Sequence, residues 1–154
     1  MPTRDDEGYG ISIKSVDYAH SIGVKLIIIL DCGIKAIEEI AYAKSLGIDF
    51  IVCDHHVPDD VLPDAVAILN PKLKDDKYPF KELSGCCVGF KFMQGFAISN
   101  GMDNMYGLES LLDLCAVSIA ADIVPIVGEN RVLAYYGLKR FNSNPNVGFR
   151  SIIK

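Results

Sequence analysis

A chain of 154 residues, half of them hydrophobic and 23% charged, has the make-up of one packed domain and not of a disordered tail. Its formal net charge of −5 argues against a self-sufficient nucleic-acid-binding surface, because phosphate contacts draw on Lys and Arg, although a metal cluster could supply positive charge locally. No apolar run approaches the roughly 20 residues that span a bilayer, and the polar opening with Asp5, Asp6 and Glu7 does not read as a signal peptide, so a cytoplasmic protein with no membrane attachment is expected.

The first ten residues, with Arg4 and the turn Glu7-Gly8-Tyr9-Gly10, read as a loop entering a helix. Ser12 can cap that helix, Ile13, Val16 and Ala19 mark one apolar face, and Gly23 ends it. A strand follows, Leu26-Ile27-Ile28-Ile29-Leu30, apolar throughout, expected to be buried, and stopped abruptly by Asp31. A strand usually precedes such an opening helix, so an earlier part of the domain is expected to be missing. Cys32-Gly33 turns the chain into a helical pattern over 34–46, with Ile37, Ile40, Ala41 and Lys44 on one stripe and Gly47 closing it. Phe50-Ile51-Val52-Cys53 is a second apolar run, ending in Asp54-His55-His56. Strand, helix and strand over about 30 residues make a βαβ unit with parallel strands and a right-handed crossover.

Residues 57–63 read as a loop, 65–69 as a third strand stopped by Asn70-Pro71, and 72–83 as an irregular connection. An apolar-rich helix runs from Ser84-Gly85 to about Ser99, where Asn100-Gly101 ends it. A second, nearly all apolar and so expected to be deeply buried, runs from about Glu109 to Ala121 and ends at Asp122; a third runs from Glu129 to about Phe141. A turn over 142–146 precedes the start of another. The expected fold class is α/β: a parallel sheet flanked by helices over 1–70, then a mostly helical half over 84–154.

Asp31 and Asp54 end comparable strands of one unit, so both reach the carboxyl rim where open parallel sheets bind ligands. Neighbouring strands would bring them roughly 5 Å apart. Two carboxylates and two imidazoles crowd there with no Lys or Arg in either segment, and a divalent cation would relieve that crowding. Taken singly, each residue has a plainer reading. Asp31 could cap the next helix, and His55 and His56 could be idle on a loop. Asp122 ends an apolar helix, where a carboxylate opposes the helix dipole and calls for a metal or for solvent. Ser84-Gly85 is either an anion-binding helix start or an ordinary Ser cap. The five cysteines are odd in number and lack a Cys-x-x-Cys spacing, so they read as reduced thiols. Cys53 with His55 lacks the second ligand pair of a structural zinc site, and Cys86, Cys87 and His20 read as packing residues. Carboxylate and imidazole donors favour Mn²⁺ or Mg²⁺, and ions paired about 4 Å apart activate water for phosphoryl transfer, which suits phosphodiester hydrolysis.

Asp54-His55-His56 resembles the motif that names the DHH phosphoesterases. Further stretches match that family in order along the chain: Glu7-Gly8-Tyr9-Gly10-Ile11, Leu30-Asp31-Cys32-Gly33-Ile34, Leu69-Asn70-Pro71-Lys72, Leu83-Ser84-Gly85, Val88-Gly89-Phe90-Lys91, Ala121-Asp122-Ile123-Val124-Pro125 and Gly128-Glu129-Asn130-Arg131. Together they are similar to the RecJ branch, single-strand-specific exonucleases that degrade DNA from the five-prime end. The resemblance implies that Asp31 bridges two metal ions, that His55 and Asp122 are metal ligands, that His56 lies near the scissile phosphate and that Asp54 supports the histidines. It also implies that Arg4 and the turn at Ser84-Gly85 contact the nucleic-acid backbone. The family's first motif, an aspartate cluster on an earlier strand, has no counterpart before Arg4, and its glycine-rich substrate-binding domain and oligonucleotide-binding fold are not found. Cys86-Cys87 stand where the family has a glycine-rich helix start. The whole of 1–154 is therefore expected to be the middle of a DHH domain, binding metal weakly and nearly inactive alone. Its expected partners are single-stranded DNA and the remainder of the polypeptide, with self-association through an exposed sheet edge. Two other readings stay open: a DHH phosphoesterase acting on oligonucleotides or small nucleotides, and a non-catalytic scaffold derived from one.

Overall fold

The computed structural model describes residues 9–102 and 107–153. The chain forms two compact units, Met1–Asp76 and Lys77–Lys154.

In the first unit three short strands, β1 (Leu26–Leu30), β2 (Asp49–Cys53) and β3 (Ala67–Leu69), form a parallel sheet in the order β1-β2-β3. Leu30 pairs with Cys53 and Cys53 with Leu69, so the three strands end level with one another. Two helices flank the sheet, α1 (Ile13–Ser21) before β1 and α2 (Ile37–Ser45) between β1 and β2. Ser12 starts α1 with a capping box: its Oγ accepts the Ser15 N–H and its own N–H donates to Ser15 Oγ, both at 3.1 Å. The helices end alike. Gly23 (φ 78°) and Gly47 (φ 73°) take the left-handed conformation, and the next N–H reaches back, Val24 to Ala19 O and Ile48 to Ala43 O, each at 3.0 Å. Each glycine thus turns a helix directly into a strand.

The core of this unit joins Val16 and Ala19 of α1, Ile40 and Ala43 of α2, and Ile29, Phe50 and Val52 of the sheet. Three expectations need correcting. Ile13 is exposed and stands outside the apolar face of α1. The second helix begins at Ile37 and not at residue 34, because the Ile34 N–H donates to Asp54 Oδ2 at 2.9 Å and holds a turn there. Its buried stripe is consequently Ile40 and Ala43, with Ile37 and Ala41 facing outward. β1 is not wholly buried: Ile29 faces the core, whereas Leu26, Ile28 and Leu30 point the other way and are about half exposed. Period-two alternation splits an apolar run into two faces, and composition alone cannot say that one of them is open. Among the described residues, β1 is an edge of the sheet.

The second unit is helical: α3 (Gly85–Ser99), a 3₁₀ turn (Leu108–Leu111), α4 (Leu112–Ala121), α5 (Gly128–Ser143) and α6 (Val147–Ile152). α4 buries Leu112, Cys115, Ala116 and Ile119 but leaves Leu114 and Val117 more than a third exposed, so it is less deeply buried than its composition suggests. Asp113 is fully buried, and its carboxylate accepts the Asn146 N–H at 2.6 Å and Asn146 Nδ2 at 2.7 Å, tying the start of α6 to α4. α5 crosses α4 at Gly137, where an added Cβ would lie 2.2 Å from Leu112 O and 2.7 Å from Ala116 Cβ. Gly137→Ala is expected to force the helices apart and cost about 1–3 kcal/mol, seen as a lowered thermal midpoint with unchanged helix content at low temperature.

Candidate metal centre

The level strand ends of the first unit set the geometry of the rim. The ladder runs one residue past β1 and β2: the Asp31 N–H donates to Cys53 O at 2.8 Å and the Asp54 N–H to Leu69 O at 3.0 Å. Both acids therefore leave their strands in register, as the sequence suggests. Asp31 then turns sharply with φ 65°, a left-handed conformation that Asp tolerates better than most residues. Tyr9 donates its OH to Asp31 O at 3.2 Å.

The two acids differ in role. Asp54 is buried (1% exposed), and its carboxylate is saturated by the chain itself. Oδ2 accepts the Ile34 N–H at 2.9 Å; Oδ1 accepts the His55 N–H at 2.7 Å, the His56 N–H at 3.2 Å and His56 Nδ1 at 2.7 Å. Burial pushes its pKa up, but these hydrogen bonds outweigh burial and hold the carboxyl below the usual range. A charged Asp54 accepts a hydrogen bond from His56 Nδ1–H, which leaves the lone pair of that imidazole on Nε2.

Asp31 instead faces the histidines. Its Oδ1 lies 3.2 Å from His55 Nε2, with His55 nearly buried and Asp31 partly open to solvent. The two imidazoles meet edge to face, with ring centres 4.7 Å apart. One ligand atom each from Asp31, His55 and His56 falls within 4.8 Å of the others, a spacing that one metal ion can bridge. One carboxylate oxygen and two imidazole nitrogens suit Mn²⁺, and Mg²⁺ less well. The neighbouring thiols are not part of the set, since burial pushes Cys53 up to about 11 and also raises Cys32, so both stay protonated. Beside the cluster is a cavity of about 260 Å³ lined by Tyr9, Gly33, Lys35, Glu39, Asp54 and His56 among others.

A further residue holds this loop. Asn70, 1% exposed, donates from Nδ2 to His56 O at 2.8 Å and accepts the Lys72 N–H on Oδ1 at 2.9 Å. Sequence reading takes Asn70-Pro71 as a strand stop; the polar amide at the end of an apolar strand was the available signal for a tethering role.

In the second unit Asp122, Ser84 and Gly85 come together. Asp122 closes α4, and its Oδ2 accepts the Ser118 hydroxyl at 3.1 Å and the Gly85 N–H at 3.3 Å. The expected conflict with the dipole of α4 is thus offset by the positive end of α3. Ser84 occupies the N-cap position of α3 but makes no side-chain cap hydrogen bond, because Asp122 serves that end. After Asp122 the chain turns at Ile123 (φ 54°), and the buried Asn130 fixes the turn by donating to Pro125 O at 3.0 Å and Glu82 O at 2.6 Å. Arg4, the other expected substrate contact, lies outside the described residues.

The model of the DHH family, N-terminal domain, matches residues 1–119. The chain is 42% identical over 151 residues to the single-stranded-DNA-specific exonuclease RecJ of Salmonella typhimurium, covering 93% of this chain and 26% of the relative. It is 40% identical over 154 residues to the Bacillus subtilis protein of the same description, covering all of this chain and 19% of the relative. A crystal structure of exonuclease RecJ bound to manganese superposes with a TM-score of 0.81 at 32% identity, over 98% of this chain and 37% of the other. The chain thus spans about a quarter or less of the length of these curated relatives.

Proposed function

Because the chain belongs to the DHH family, we propose that it is the metal-holding part of a phosphodiesterase that degrades single-stranded DNA from the five-prime end, with Mn²⁺ or Mg²⁺ as cofactor and the cytoplasm as its setting. The observation that carries this reading is the convergence of Asp31, His55 and His56, within 4.8 Å, on the carboxyl rim of a parallel sheet. The relatives described as RecJ exonucleases, one of them bound to manganese, support the choice of substrate and metal. No helix among the described residues is long and apolar enough to cross a membrane.

In this proposal Asp31 and His55 hold the ion, Asp31 through a carboxylate able to bridge to a second, and Asp122 has the metal-ligand role that the family resemblance implies. A bound divalent ion supplies Lewis-acid charge for the phosphate and lowers the pKa of water. His56, more exposed than His55, presents Nε2 toward the scissile phosphate, and Asp54 orients the ring by accepting a hydrogen bond from Nδ1–H. Arg4 and Ser84-Gly85 steady the nucleic-acid backbone. The edge that β1 forms among the described residues gives copies of the chain a place to associate.

Calorimetric titration of Mn²⁺ into this chain and its His55→Ala variant tests the reading. Binding by the parent and a loss beyond ~100-fold in the variant is the expected result. Equal binding by both would place the ion elsewhere and overturn the assignment.

A further inference from the structure

The metal chemistry leaves one stretch at the rim unused, Leu69-Asn70-Pro71-Lys72, which leads out of β3. The chain turns tightly there. The Leu73 N–H donates to Asn70 O at 3.1 Å, with Asn70 first in the turn, the buried Pro71 second and Lys72 third. Asn opens such turns well and Pro fixes φ at the second position, so the turn is stiff. The Asn70 side chain then clamps it to the site. Nδ2 donates to His56 O at 2.8 Å, and Oδ1 accepts the Lys72 N–H at 2.9 Å. One buried amide thus spans the backbones of His56 and Lys72, and the flexible four-carbon stem of Lys72 starts from that anchored point.

Charge gives this placement its consequence. Asp31 offers a carboxylate to the cluster and a charged Asp54 lies behind it, so one divalent ion does no more than balance the two acids. A nucleic-acid strand carries a negative charge at every linkage, and its other phosphates still need cations. The chain as a whole, at −5, does not supply them. In the first unit Lys35 and Lys72 follow the ends of β1 and β3. Lys35 is already paired, with Asp59 at 3.0 Å, whereas the half-buried Lys72 enters no ion pair among the described residues. We propose, on the reading of this chain as part of a single-strand phosphodiesterase, that Lys72 is a substrate-binding residue. Its ammonium holds a non-bridging oxygen of a strand phosphate beside the one at the metal centre. An ammonium meets phosphate as a point charge, so it steadies the backbone without reading the bases.

The test is fluorescence anisotropy of a labelled single-stranded oligothymidylate titrated with the chain in the presence of Mn²⁺. Phosphorothioate linkages keep the charge of the strand and resist hydrolysis. Lys72→Gln is expected to weaken binding about 10-fold. It should also make the slope of log affinity against log salt shallower by about 0.7, the share of one single-strand phosphate contact. Lys72→Arg should restore both. Lys25→Gln removes the same charge just before β1, at the opposite end of the sheet, and should bind as the parent does. Calorimetry should find Mn²⁺ affinity undiminished in Lys72→Gln, which separates a lost phosphate contact from a loosened turn at Asn70. Equal strand binding by the parent and Lys72→Gln, or an equal loss in Lys25→Gln, overturns the contact and leaves the strand reading in place. Loss of Mn²⁺ affinity in Lys72→Gln also overturns it, since Lys72 would then act through the loop. A parent that binds no strand overturns the strand reading and the contact together.

Discussion

Asp31→Asn is expected to abolish Mn²⁺ binding while leaving the fold of the first unit intact. Asn is nearly isosteric with Asp and is one of the few residues that accept the left-handed conformation seen at position 31 (φ 65°), so the backbone need not move. The ladder bond from its N–H to Cys53 O and the bond from Tyr9 to its carbonyl are backbone interactions and should survive. What disappears is the negative oxygen 3.2 Å from His55 Nε2. Outer-shell changes at metal sites typically cost ~10–100-fold in affinity, and removal of an anionic ligand should exceed that range. Asp31→Ala would confuse the result, because Ala at that φ adds backbone strain of about 1–2 kcal/mol. Calorimetry with Mn²⁺ and a thermal melt without metal separate the two effects. An unchanged affinity would remove Asp31 from the ligand set.

The parts of this architecture that could be read in advance are those with a local signature. Gly23 and Gly47 announce their helix ends because a left-handed residue is needed there, and the apolar runs between such glycines and Asp31 or Asp54 fall on β1 and β2. Since parallel strands end level, two acids at two strand ends imply one shared rim. The features that escaped are settled by tertiary pairing. Ile34 looks helical by period, yet the Asp54 carboxylate captures its N–H and the helix starts three residues later. Ser84 has the identity of a cap, but a carboxylate distant in sequence, Asp122, does the capping. Asn70, Asp113 and Asn130 are buried polar residues whose partners are backbone groups or an amide brought near only by folding. Their own neighbourhoods mark them only ambiguously, since a polar residue among apolar ones is equally an exposed residue or a tether.

Asp54→Ala should have the largest effect on stability of any substitution at the rim. It leaves the N–H groups of Ile34, His55 and His56 and the Nδ1–H of His56 without their acceptor, around a site only 1% exposed. Stranded buried donors cost about 1–3 kcal/mol each, but one relaxation can serve several, so a total of about 3–5 kcal/mol is expected. Mn²⁺ affinity should also fall by ~10–100-fold, less than for Asp31→Asn, because Asp54 orients the imidazoles and is not itself in the ligand cluster. The same carboxylate makes stability depend on pH with a definite sign. Its pKa is lower in the folded chain than the unfolded value near ~3.9, so the folded state binds fewer protons there. Its contribution is therefore complete above about pH 4–5 and is lost as the pH falls through the folded value. Urea unfolding of parent and Asp54→Ala at a series of pH values from about 6 down to 3 measures both consequences: a wide gap at the upper end that narrows with acidification. A gap that stays constant would mean that the carboxyl titrates alike in the folded and unfolded chain, and its hydrogen bonds would then not hold it below the usual range.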